Sequence, residues 1–76
     1  MTAADLLEMF ITTLLREAGG NRRHWRLALG QVKVYGVDTH PHCNWAVSPS
    51  GTLRDLTEIE RVADRLRERH PVIAAK

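Results

Sequence analysis

One cysteine, Cys43, is present. No internal disulfide can form, and a chain with a lone thiol is expected in a reducing compartment, the cytoplasm. Long apolar runs are also missing. A membrane-spanning helix needs about 20 consecutive apolar residues, and no stretch approaches that length. The N-terminal segment carries Asp5 and Glu8 where a secretory or transit peptide would be basic. A soluble protein without membrane contact is therefore expected. Aromatic residues make up only 5% of the chain, so Trp25 and Trp45 should carry a large share of any core. Internal repeats, low-complexity segments and long linkers are absent as well. Acid is missing from one region: between residues 18 and 37 stand Arg22, Arg23, Arg26 and Lys33 with no Asp or Glu among them.

What remains is an ordinary globular composition, 43% apolar and 26% charged. Seventy-six residues suffice for one small core and not for two, so one domain over residues 1–76 is expected. The net charge of +2 is a weak signal for nucleic acid until the charges are placed. Residues 52–70 hold five arginines against five acids, which locates the excess of positive charge in the middle of the chain.

Thr2 and Asp5 have the spacing of a helix capping box, and Leu6, Leu7, Phe10, Ile11, Leu14, Leu15 and Ala18 follow at helical period. Gly19-Gly20 closes the turn, so a helix is predicted over residues 3–18. In "HWRLALGQVKVYG" Trp25, Leu27 and Leu29 alternate with His24, Arg26 and Ala28, and Val32 and Val34 alternate with Lys33 and Tyr35. Two strands joined by a type II′ turn at Gly30-Gln31 are predicted. Leu29 would face Val32, Leu27 would face Val34, and Gly36 would leave room under the Trp25 indole. "CNWAV" alternates again, which predicts a third strand with Cys43, Trp45 and Val47 inward and Asn44 outward. Thr52 and Asp55 repeat the capping box before a helix carrying Leu53, Leu56, Ile59, Val62, Ala63 and Leu66, and His70-Pro71 stops it.

The expected fold is α+β, in the order α-β-β-β-α, with a three-stranded antiparallel sheet covered on one face by two helices. Its core is expected to be Leu6, Phe10, Ile11, Leu14, Trp25, Leu27, Val34, Trp45, Val47, Leu56, Ile59, Val62 and Leu66. This order is similar, in topology, to that of the double-stranded RNA-binding domain. Two features depart from it. The basic cluster at the start of that domain's last helix is represented here by Arg54 alone, beside Asp55 and Glu58, and its longer first hairpin loop is replaced by Gly30-Gln31.

Three functional readings compete. His40, His42 and Cys43 have residue types that bind metal, and His24 could add a nitrogen, but neighbouring strand residues point to opposite faces and no zinc-finger spacing is present. Cys43 with a neighbouring histidine has the types for thiol catalysis, yet the alternation turns it inward, where free cysteine acts as a small apolar group. No metal, no cofactor and no catalysis are therefore expected. The second reading is RNA or DNA binding on an open sheet face: Arg22, Arg23, His24, Arg26, Lys33, Tyr35 and Asn44 are its binding residues, cations beside an aromatic ring. The third, and the one preferred, is a non-catalytic module that binds another protein or a second copy of itself. Its sign is the last helix, where a row of Arg61, Arg65 and Arg69 adjoins a row of Glu60, Asp64 and Glu68.

Overall fold

The computed structural model describes residues 1–74. It is a small α+β structure of three helices and a two-stranded antiparallel sheet, in the order α1 (Ala3–Ala18), α2 (Arg22–Leu29), β1 (Val32–Val34), β2 (Trp45–Val47) and α3 (Leu53–Arg69).

The first and last helices form as their patterns dictate. Thr2 and Asp5 exchange side-chain and backbone hydrogen bonds at the start of α1, and Thr52 and Asp55 do the same at the start of α3. Each box satisfies amide groups that the first turn leaves without a partner. Gly19 ends α1 at φ 77°, donating its N–H to Leu15 O at 3.2 Å. At His70 α3 stops, immediately before Pro71.

The middle of the chain differs from the expectation. Residues 22–29 are helix α2, so no strand spans Trp25 to Leu29 and the sheet has two strands among the described residues. Trp25 and Leu29 fit both periods, being four apart, which is even for a strand and one turn for a helix. The two patterns differ over Leu27 and Ala28. The helix buries Ala28 and leaves Leu27 66% exposed, which removes Leu27 from the core. Both ends of α2 carry the signals that decide the matter. Asn21 Oδ1 accepts the His24 N–H at 2.8 Å as an N-cap. Gly30, at φ 65°, closes the helix by donating to Arg26 O at 3.1 Å, so Gly30-Gln31 is a helix exit and not a hairpin turn. The resemblance to the RNA-binding domain's topology falls with the lost strand.

β1 pairs with β2, matching Val32 with Val47, Lys33 with Ala46 and Val34 with Trp45. One core lies between the three helices and this ribbon, built on Leu6, Phe10, Ile11, Leu14, Trp25, Leu29, Trp45, Ile59, Val62, Ala63, Leu66 and Ile73. Val34, Val47 and Leu56 from the expected core are only partly buried. The Phe10 ring meets Trp45 edge-on, with centroids 5.7 Å apart. The Trp25 indole donates to Gly19 O at 2.7 Å, tying α2 back to the end of α1. The glycine beside that indole is Gly20, not Gly36: a Cβ at Gly20 would sit 3.3 Å from Nε1.

After α3 the chain turns back and is strapped to the sheet. Asn44 N donates to Pro71 O, Trp45 Nε1 to His70 O, and Ala74 N to Met1 O. None of the described helices is long and apolar enough to cross a membrane.

Candidate functional site

The loop 35–44 separates the residues that sequence reasoning grouped as a metal or thiol site. His40 stacks on Tyr35 with ring centroids 4.3 Å apart and 17° between planes, and its Nδ1 lies 3.0 Å from Thr39 Oγ1. His42 is exposed, whereas Cys43 is half-buried against the core and donates its Sγ–H to Trp45 O at 3.5 Å. No three His, Cys, Asp or Glu side chains converge as a metal site among the described residues. Cys43 therefore packs on the side of Trp45, as the alternation implied.

Asn44 is the clearest reassignment among the expected binding residues. It is 1% exposed. Its amide donates to Tyr35 O at 3.1 Å and to Ile73 O at 2.8 Å, and its Oδ1 accepts the Ile73 N–H at 2.8 Å. A primary amide carries a donor and an acceptor side by side, so one side chain can pair with both groups of a peptide unit's residue as a strand would. Asn44 holds the C-terminal tail and is not available to a ligand.

The basic residues of the middle segment occupy the outer side of α2 and of β1. Arg22 reaches the Glu8 carboxylate on α1 at 2.8 Å. His24 Nε2 lies 3.0 Å from Asp55 Oδ1, joining α2 to the first turn of α3. That pairing holds the Asp55 carboxyl below its ordinary range; burial opposes the shift, and the bonds from Thr52 reinforce it. Gly51, at φ 123°, makes room for the carboxylate, since a Cβ there would approach Asp55 Oδ2 to 2.8 Å. Arg23, Arg26 and Lys33 are exposed and form no ion pair among the described residues. Tyr35 is exposed at the edge of this region, under His40.

On α3 the charged rows find partners within the chain. Arg65 grips the Glu17 carboxylate with both terminal nitrogens, at 2.6 and 3.1 Å, which lowers the Glu17 carboxyl pKa and raises that of Arg65. Arg61 pairs with Glu58, and Arg67 with Asp64 at 3.1 Å. The Arg67 guanidinium also lies over the Trp45 ring, 5.3 Å from its centroid.

Between α1 and α3 runs a groove of about 350 Å³, lined by Glu8, Met9, Thr12, Thr13 and Arg16 on one wall and Val62, Arg65, Leu66 and Arg69 on the other. Val62 and Leu66 are buried beneath it, and Met9 is partly open to it. This concavity is absent from the sequence reading because its walls lie some fifty residues apart. Only the interruption of the α1 apolar face by Thr12, Thr13 and Arg16 pointed towards it. A smaller hollow of about 190 Å³ lies over the His24–Asp55 contact, beside Leu27, Ala28, Ser50 and Gly51. No protein-family model matches the chain, and no curated protein or solved structure matches it significantly.

Proposed function

We propose that this chain is a non-catalytic interaction module and that its partner is another protein, engaged through the groove between α1 and α3. One observation supports this reading above the rest: the groove between α1 and α3 combines a partly open methionine with threonine hydroxyls and an arginine rim. Docking surfaces combine these elements, an apolar seat with polar groups that set orientation. Self-association through α3 is the less favoured form, because Arg61, Asp64 and Arg65 already hold intramolecular partners. Exposed ion pairs alone contribute about 0 to 1 kcal/mol each.

The test is site-specific photo-crosslinking in the source cells. A photoreactive residue at exposed position 12, inside the groove, should give a discrete adduct that the same residue at exposed position 57, on the outside of α3, does not. Equal labelling from both positions, or none from position 12, refutes the groove reading. A second reading, nucleic-acid binding, is favoured by a separate observation: α2 follows α1 after the three-residue turn Gly19-Gly20-Asn21 and carries Arg22, Arg23 and Arg26 outward with no acid on it. A short helix set by such a turn can enter a groove of duplex DNA, and a steep fall of affinity with salt tests that reading.

A further inference from the structure

Both walls of the groove are helices, whose backbone groups are satisfied internally, so an occupant must be recognised by side chains and not by strand pairing. The rim is cationic. Arg16 stands on the α1 wall and Arg65 and Arg69 on the α3 wall, while the single acid in the lining, Glu8, has its carboxylate held by Arg22. Arg65 already shows what chemistry the rim accepts: it binds the Glu17 carboxylate through two hydrogen bonds. Arg69 has no ion-pair partner among the described residues, and Arg16 lies 3.7 Å from Glu17, beyond hydrogen-bond distance. Two guanidinium groups on opposite walls are thus open to further carboxylates, and Met9 lines the same groove as a pliable apolar seat.

We infer that the groove takes an acidic amphipathic helix of a partner protein, its carboxylates meeting Arg16 and Arg69 from either side and one apolar side chain resting on Met9. This inference rests on the protein-interaction reading and adds the chemistry of the partner. The α1 wall runs from Glu8 to Arg16, about 12 Å, enough to lie along about two turns of a helix. A second copy of this chain fits less well. Its own acidic helix face, Glu60, Asp64 and Glu68, is flanked by Thr57, Arg61 and Arg65, and its one exposed apolar side chain, Leu53, stands at the helix start beyond the acids, while Arg61, Asp64 and Arg65 are already paired within the chain.

Three fluorescent helical peptides with the same leucine face, carrying glutamate, glutamine or lysine elsewhere, separate the alternatives in an anisotropy titration. The glutamate peptide should bind the wild-type chain, and the Arg16→Glu, Arg69→Glu double variant should weaken it by at least about tenfold. Both positions are exposed, and an unchanged thermal unfolding midpoint will show that the variant folds. A Met9→Ala variant should weaken the glutamate and glutamine peptides alike. Equal binding of all three peptides, or indifference to the two charge reversals, refutes the acidic partner while leaving the groove as a docking site. If position 12 crosslinks in cells but no peptide binds, the inference fails and the function stands. If neither occurs, both fail. A single-stranded oligonucleotide that binds with the same sensitivity to the Arg16 and Arg69 reversals would also overturn it, since the rim would then be reading phosphate.

Discussion

Replacing Asn44 with alanine removes the side chain that closes the C-terminal tail onto the sheet. Three hydrogen bonds disappear together, two donated to the carbonyls of Tyr35 and Ile73 and one accepted from the Ile73 N–H. The groups left behind lie in or beside a buried region: Ile73 is 5% exposed and Asn44 itself 1%. A net loss of about 1 kcal/mol per bond gives a total of about 3 kcal/mol, with more if Ile73 N–H stays dry and unpaired. A chain of this size has a total stability of about 4 to 11 kcal/mol, so the variant should remain folded near room temperature with its melting midpoint lowered by about 12 to 24 °C. Urea unfolding followed by tryptophan fluorescence measures the first quantity. Amide exchange at Ile73 locates the effect, because the clamp predicts lost protection there before elsewhere. Asn44→Asp should be no better than alanine: it keeps the acceptor for Ile73 N–H but sets a carboxylate against two carbonyl oxygens. An alanine variant within about 0.5 kcal/mol of wild type, the range of ordinary surface substitutions, with Ile73 still protected, would refute the clamp and return Asn44 to the list of accessible binding residues.

The helical assignment of residues 22–29 is tested by a contrasting pair. Leu27→Lys should change stability by no more than about 0.5 kcal/mol because the side chain is 66% exposed, whereas Gly30→Ala should cost about 1 kcal/mol because its φ is 65°; a hairpin would reverse the order for Leu27. Asp55 predicts acid sensitivity. Its folded pKa lies below the unfolded value, so the stability it contributes is fully present above the unfolded pKa and is lost as pH falls through the folded one. Denaturation midpoints measured downward from about pH 5 should fall less steeply in His24→Ala, which removes the largest cause of the shift; identical slopes would refute the pairing. For nucleic acid, one phosphate neutralised by each of Arg23, Arg26 and Lys33 predicts that log affinity falls with log salt with a slope of about 2.7. Arg26→Glu with Lys33→Glu should abolish the binding, and indifference to that double reversal removes the reading for this surface.

Much of the fold was legible because its determinants are local. Thr2 with Asp5 and Thr52 with Asp55 act over three residues, and the apolar rows of α1 and α3 run for four turns, long enough for one period to exclude the other. Helix α2 is a case where local signals conflict. Eight residues are too few to separate the periods when Trp25 and Leu29 satisfy both, and Asn21 and Gly30, which cap the helix, read equally well as loop and hairpin turn. The alternation at Cys43 and Trp45 correctly implied that both turn inward. It failed at Asn44 because the chain after α3 covers that residue: its carbonyl accepts the Tyr35 N–H, while its backbone N–H is taken by Pro71 O. Its partner Ile73 lies 29 residues on. The groove depends on α1 and α3 meeting across the whole chain, as in the contact of Arg65 with Glu17, 48 residues apart. No periodicity carries that information.

The misassigned segment also changes what the basic residues can do together. In a strand, Arg22 and Arg26 would have shared one side with His24, and Arg23 would have pointed to the other. In a helix advancing about 100° per residue, Arg22, Arg23 and Arg26 fall within about 100° of arc. The helix thus gathers on one side charges that a ribbon would have divided. Arg22 is engaged by Glu8, which leaves Arg23 and Arg26 on the exposed, convex face of α2 beside exposed Leu27. The arginines of the groove stand instead on facing walls of a concavity that Met9 also lines. A convex cationic patch meets a polyanion through long-range attraction that salt screens, while a concave one selects a shape as well as a sign. Raising the salt concentration should therefore weaken ligands of the two surfaces unequally, and reversing Arg23 and Arg26 should leave the groove's glutamate peptide bound. Loss of that peptide in the α2 variant would show that the protein has one electrostatic surface instead of two.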